Sequence, residues 1–142
     1  MRKMLLSFKP EVYEKIKSGK KIFEHRRNFP DEPIMAYMYV SAPVKAITGI
    51  VYLGKRHLLS DWHEEFKDDK DAVARIEKYQ ESYRYAMEID EFQEKFIERV
   101  KEYLHEKAPG RYVVVSGWCV FVMSIREARK RKIRRIEYHI VK

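Results

Sequence analysis

Residues 34 to 54 read IMAYMYVSAPVKAITGIVYLG, two stretches rich in β-branched and aromatic residues on either side of Ala42-Pro43. Stretches of this length and composition fit a pleated, half-buried surface, and a brief turn between them makes a hairpin the simplest solution. A chain with that centre has to build a sheet. Tyr37 and Tyr39 fall two apart on one face of the first stretch, where core packing is the expected role rather than a stacking platform for bases.

The flanking segments can be read against this hairpin. MLLSF (4 to 8) is a short apolar strand. KPEVYEKIKSG carries Pro10 at a first helical position, Val12, Tyr13 and Ile16 at helical spacing, and Gly19 just past the end, so a short helix is expected. KIFEHRR alternates Phe23, His25 and Arg27 with Ile22, Glu24 and Arg26, which is the period of a strand. Far along the chain, YVVVSGWCVFVM (112 to 123) reads as one strand buried on both faces with a bulge at Gly117. Ser124 and Glu127 form a capping-box pattern opening a short helix, and IRRIEYHIV closes the chain as a half-buried strand.

Between them the character changes. From His57, Trp62, Phe66, Val73, Ile76 and Tyr79 recur at roughly helical intervals, and Phe92, Phe96, Ile97, Val100, Tyr103 and Leu104 form a second stripe, with Asp90 and Gln93 as its capping pair. The expectation is a single domain over 1–142: an α+β fold with about six strands in a small mixed or antiparallel barrel, short helices, and a helical pair inserted at about 57–108.

Charge follows the same division. Residues 1–56 carry 12 Lys and Arg against 5 acids, residues 57–108 carry 9 against 15, and residues 109–142 carry 9 against 2, for a net +8. A basic body around an acidic middle suits a polyanionic partner. With 45% hydrophobic and 37% charged residues, neither a disordered nor a membrane chain fits, and the cytoplasm is the expected compartment. Cys119 is the only cysteine and sits in an apolar run, so it reads as a buried inert thiol. The five histidines show no metal spacing, and no Gly-rich phosphate loop or nucleophile elbow occurs; no metal and no cofactor is expected.

Two stretches carry chemistry. In SGKKIFEHRR (18 to 27), a glycine lets the backbone turn sharply, Lys21 follows that turn, and Glu24 and Arg26 share one face of a strand. An arginine held by a carboxylate keeps its planar fork oriented for a phosphate or a base edge, whereas the same pair left on a surface would be an ordinary ion pair. In RKRKIRR, Arg129, Lys130, Arg131, Lys132, Arg134 and Arg135 follow Arg126, enough charge to neutralise several phosphates of a backbone, with Tyr138 and His139 nearby as stacking surfaces.

LLSFKPEVYEKIKSGKKIFEHRR followed by YMYVSAPVKAITGIV resembles the ASCH domain family of the PUA-like superfamily, through its Gly-x-Lys-x-x-Glu-x-Arg motif, met here at Gly19, Lys21, Glu24 and Arg26. The resemblance covers roughly residues 4–56 and loosely 124–141, and departs at 57–108, where such domains usually have a shorter linker. It implies a PUA-like β-barrel with a cleft near the motif that handles RNA or a nucleotide-like anion. Lys21, Glu24 and Arg26 would line the cleft, joined by Ser7, Lys9 and Ser41. Some relatives are enzymes of ribonuclease or amidohydrolase type, so the alternative reading is catalysis on RNA or a modified nucleoside by Lys21 and Glu24. The amidohydrolase-like proteins carry a threonine where Glu24 stands here, which sets this chain apart from them. A further alternative is a protein partner or a dimer contact through the helices of 57–108.

Overall fold

The computed structural model describes residues 1–94, 99–100, 103–104, 106, 111–116, 119–132 and 138–141. Among these, eight strands and four bounded helices run in the order β1 (Arg2–Phe8), α1 (Pro10–Lys17), β2 (Phe23–Arg26), β3 (Ile34–Val40), β4 (Ala46–Leu58), α2 (Leu59–Glu65), α3 (Lys70–Gln80), β5 (Tyr85–Gln93), β6 (Arg111–Ser116), β7 (Cys119–Met123), α4 (Ile125–Lys130) and β8 (Tyr138–Val141). Arg99, Val100, Tyr103, Leu104 and Glu106 are also helical.

β1 pairs β3 in parallel, β3 pairs β4 and β4 pairs β5 antiparallel, and β5 in turn pairs β2. The neighbours are therefore β1, β3, β4, β5 and β2 in succession, and this sheet curls into a half-barrel. The two end strands come close enough for the Arg26 Nη2 on β2 to donate to the carbonyl of Ser7 on β1, at 2.6 Å. A second wing, β7, β6 and β8, joins at the start of β4 through the pairing of Ile47 with Val120. The expected small α+β fold of mixed strand directions is thus what the chain forms.

Side-chain alternation on β3 explains how the layers separate. Ile34, Ala36, Met38 and Val40 point into the half-barrel, where Tyr13 and Ile16 of α1 fill its mouth and Phe8, Val51, Leu53 and Met87 complete the cluster. Met35 and Tyr37 point the other way, against Ile47, Ile50, Val100, Tyr103 and Leu104. A strand buried on both faces has no free position for a base-stacking residue; Tyr37 is fully buried, with its hydroxyl donating to the carbonyl of Arg99 at 3.1 Å. A third cluster packs α2 and α3 onto the outer face of β2 and β5, through Leu59, Ile76 and Ala86 with Phe23 and Trp62 against them.

At Gly49 the wall is tight: a Cβ there would lie 2.9 Å from Cε2 of Phe92 and 3.1 Å from Cε2 of Tyr13, rings that meet edge to face. Both rings are held by the core, so Gly49→Ala should cost about 1–3 kcal/mol in a urea unfolding experiment, and an unchanged midpoint would contradict this packing.

Three expectations change. The segment 85–93 is a strand, so Asp90 and Gln93 lie within β5 rather than capping a helix, and the interval 57–108 is not helical throughout. The period-two signal was present: Tyr85, Met87 and Ile89 share the inner face, while Glu88 and Asp90 intervene. Helical spacing through Phe92 competed with it, and pairing on both edges, to β2 and β4, decided the outcome. The run 112–123 is likewise not one strand but two, paired antiparallel from Tyr112 with Met123 to Ser116 with Cys119. Folding back lets each half satisfy the other's backbone groups; Gly117, where a bulge was expected, lies outside the described residues. Among the described residues the sheet consequently holds eight strands where about six were expected.

Candidate functional site

α1 begins as its punctuation dictates. Lys9 is extended (φ −69°, ψ 148°), as a residue before proline must be, and its carbonyl accepts from the amides of Val12 and Tyr13. The helix stops at Gly19, whose φ of +78° lies in the left-handed region that a side chain disfavours, and Lys21 N–H then reaches back to the Lys15 carbonyl at 3.0 Å. This corner delivers Lys21 to the rim of β2 half-buried.

β2 then distributes its residues by alternation. Glu24 and Arg26 point to the inner side, and Phe23 and His25 to the side covered by α2 and α3. The Glu24 carboxylate is 7% exposed and Arg26 Nε stands 3.4 Å from its Oε1, an ion-pair distance without hydrogen-bond alignment. The guanidinium is located by other contacts: Nη2 donates to Ser7, and Cζ lies 4.8 Å from the centre of the Phe8 ring. Glu24 Oε2 and Arg26 Nε are both buried with no hydrogen-bond partner among the described residues. Buried polar atoms are nearly always satisfied, and these two orphans, on the two members of one ion pair, stand out for that reason; Thr48 Oγ1 is the third such atom among the described residues.

Burial sets the titration of all three groups near this corner. The Glu24 carboxyl is raised above the usual range by burial, although Lys21 and Arg26 both pull it down. Lys21 is lowered, again chiefly by burial, with Glu24 acting in the opposite sense. His25 is pushed down to about 4 by burial and by the Lys21 ammonium, so at neutral pH it is an uncharged ring. Lys21 Nζ stands 3.5 Å from His25 Nδ1, a long contact in which the ammonium donates. Lys21 therefore lies at the edge of β2 between the Glu24 face and the His25 face. The sequence pattern placed His25 opposite Glu24 but missed this contact, whose only signal is a four-residue spacing.

Ser7, Lys9 and Ser41 gather at the ends of the parallel pair β1 and β3, where Ser41 N–H donates to the Phe8 carbonyl at 2.9 Å. Ser7 meets Arg26 through its backbone carbonyl, and no described contact uses its hydroxyl. Lys9 is exposed and serves as the N-cap residue of α1.

The second basic feature lies on the same end of β3 and β4. β7 runs antiparallel to β4 at the pairing of Ile47 with Val120, and α4 follows β7 close enough to the 41–45 turn for Lys45 to act on Glu127. Ser124 caps α4, accepting from Glu127 N–H at 3.1 Å as the capping pattern requires. Glu127 is drawn below the usual carboxyl range mainly by its hydrogen bond from Arg131, with Lys45 across the turn contributing. Arg126, Arg129, Lys130, Arg131 and Lys132 are exposed, and among the described residues only Arg131 of these is tied up, by Glu127 at 2.9 Å. Arg134 and Arg135 lie outside the described residues, as do the side chains of Tyr138 and His139.

Among the described residues no group of three or more His, Cys, Asp or Glu side chains is placed to hold a metal ion, and no helix is long and apolar enough to cross a membrane.

No family model matches the chain, and no curated protein does. Among solved structures, the chain is similar to the crystal structure of ASCH from Zymomonas mobilis at 19% identity, with all of both chains covered and a TM-score of 0.48. Two mutants of that protein align at 20% and 21% identity over 92% of this chain and 97% and 95% of theirs, with TM-scores of 0.48 and 0.46.

Proposed function

We propose that this chain is an RNA- or nucleotide-binding module of the ASCH, PUA-like type, whose ligand meets the corner formed by Gly19, Lys21, Glu24 and Arg26. The observation that carries the reading is the orphaned pair: a carboxylate oxygen and a guanidinium N–H, both buried, with no hydrogen-bond partner among the described residues. A nucleobase supplies an N–H donor and a carbonyl or ring-nitrogen acceptor side by side, the complement of Glu24 Oε2 and Arg26 Nε. Lys21, at the rim, meets a phosphate or a second acceptor. Ser41 and the exposed Lys9 and Lys45 lead from this corner toward α4, where Arg126, Arg129, Lys130 and Lys132 follow a backbone. The deciding test is a titration of a labelled single-stranded RNA: saturable binding weakened by Arg26→Lys supports the reading, and affinity indifferent to that change removes it.

Neutralising Arg126, Arg129, Lys130 and Lys132 together to Gln should leave the corner intact while flattening the dependence of log K on log salt by about 0.7 for each phosphate no longer neutralised. A slope identical to that of the parent would assign these residues to an ordinary solvated face.

One observation favours the catalytic alternative. Lys21 is lowered by burial and faces both a carboxylate and a neutral imidazole, which is the direction required of a lysine acting as base or nucleophile. Incubation with RNA and with acylated nucleosides would reveal it, through a product that forms with the parent and vanishes in Lys21→Ala. Absence of any product leaves the binding module.

A further inference from the structure

Between β4 and β5, Trp62 is partly buried, whereas Phe66, Tyr79 and Tyr83 are exposed, and of these three only Tyr79 and Tyr83 lie beside one another and beside β2. Trp62 meets Phe23 edge to face at 5.0 Å and belongs to the cluster beneath α2 and α3. Tyr79, in the last turn of α3, lies instead flat on His25, with ring centres 3.9 Å apart and planes within 7°. Even so Tyr79 is 41% exposed, and Tyr83 beside it is 38% exposed, with its ring centre 6.4 Å away and its plane tilted by 38°. The pair is held in place: Tyr83 N–H donates to the Tyr79 carbonyl at 2.9 Å, and Arg84 N–H ties the next residue to the Arg26 carbonyl on β2 at 3.2 Å.

A neutral His25 ring under Tyr79 begins a stack that ends in solvent. Two pre-positioned rings with little conformational freedom left to lose are the means by which proteins hold unpaired bases without regard to sequence. The charges around them suit the phosphates between such bases. Lys21 touches His25, and Lys20, Arg27, Lys78 and Arg84 are exposed on the adjoining segments. Of the two acids nearest in sequence, Glu77 is engaged by His63 at 3.0 Å, leaving Glu81.

We infer that Tyr79 and Tyr83 form a stacking platform for an unpaired base of a single-stranded RNA, on the reverse face of β2 from the Glu24–Arg26 pair and joined to it by Lys21. This rests on the RNA-binding reading and narrows it, because a ligand reaching both faces of β2 is a strand of several nucleotides rather than a single nucleotide. It also gives the segment that departs from the resemblance a role in the same site.

The experiment compares an oligouridine of about eight nucleotides with an abasic ribose-phosphate strand of equal length, each followed by fluorescence anisotropy. The parent should bind the base-bearing strand ~10-fold more tightly. Tyr79→Leu combined with Tyr83→Leu should shrink that preference to the part contributed by base contacts at Glu24 and Arg26, and leave both the abasic affinity and the salt dependence unchanged, while Tyr79→Phe should keep it. Tyr83→Ser, outside every core cluster, reports the same effect if the double variant does not fold. Equal parent affinity for the two strands, or an equal drop on both in the leucine variant, overturns the platform. So does a parent that sediments as a dimer and becomes a monomer when the tyrosines are changed. Binding that depends on Arg26 but ignores both tyrosines removes the platform and keeps the RNA reading; no binding of either strand by the parent removes both.

Discussion

Arg26→Ala should destabilise the fold by about 2 kcal/mol and weaken RNA binding by at least about 10-fold. The two effects share a cause. The guanidinium closes the curled sheet through Ser7, covers Phe8, and lies 3.4 Å from a carboxylate that is 7% exposed. Breaking a fully buried pair leaves an uncompensated charge at a cost of roughly 3–5 kcal/mol; Arg26 is 27% exposed, so solvent offsets part of that here. Denaturant unfolding and RNA titration measure the two separately, and Arg26→Lys divides them further. Lysine retains the charge but not the fork, so stability should recover more than affinity does.

The pH dependence of the alanine variant has a definite sign. Glu24 already titrates above its ordinary value in the folded protein, so the folded state binds this proton more tightly than the unfolded state does. The penalty for its charge is absent at low pH and appears as pH rises through the interval between the unfolded and the folded value. Loss of Arg26 removes one of the interactions that lower it and pushes the folded value up again. The stability lost in Arg26→Ala should therefore be smaller near pH 5 than near pH 8. A destabilisation independent of pH would mean that the guanidinium does not compensate Glu24 at all.

Glu24→Gln is expected to act in opposite directions on stability and on binding. Burial disfavours the Glu24 charge more than Lys21 and Arg26 together favour it, so a neutral isostere should raise stability at neutral pH by the order of 1 kcal/mol. The gain should disappear as pH falls and the parent carboxyl takes up its proton. RNA binding should weaken by about 10-fold, since an amide is a poorer acceptor for a base N–H than a carboxylate is. A side chain that destabilises its own fold while improving affinity is one retained for the ligand. Should the glutamine variant bind as well as the parent, the orphaned carboxylate oxygen is not a ligand contact.

Local chemistry made several features legible in advance. Proline at the first position of α1 and glycine beyond its end fixed that helix and the corner after it, because φ limits act within a residue or two. Alternation on β2 set Glu24 and Arg26 on one face and His25 on the other, since a strand's period is two whatever surrounds it. Ser124 and Glu127 located the start of α4 in the same way.

What the sequence left undecided were choices between equally good local patterns. Residues 85–93 suit a strand on one reading and the approach to a helix on another, and only the two edges offered by β2 and β4 selected the strand. Tyr79 continues the helical stripe of Val73 and Ile76, yet Ile76 is buried and Tyr79 is not. The difference arises because β2 is a short edge strand, so the helix's last turn overhangs it and meets one imidazole instead of a filled core. Burial of the Glu24–Arg26 pair was equally invisible, since the spacing is identical for a solvated strand. The curl of the sheet brings β1 against β2 and shields the pair from water, and that shielding, a property of strands far apart in the chain, turns what the spacing alone would leave as a surface ion pair into a buried one.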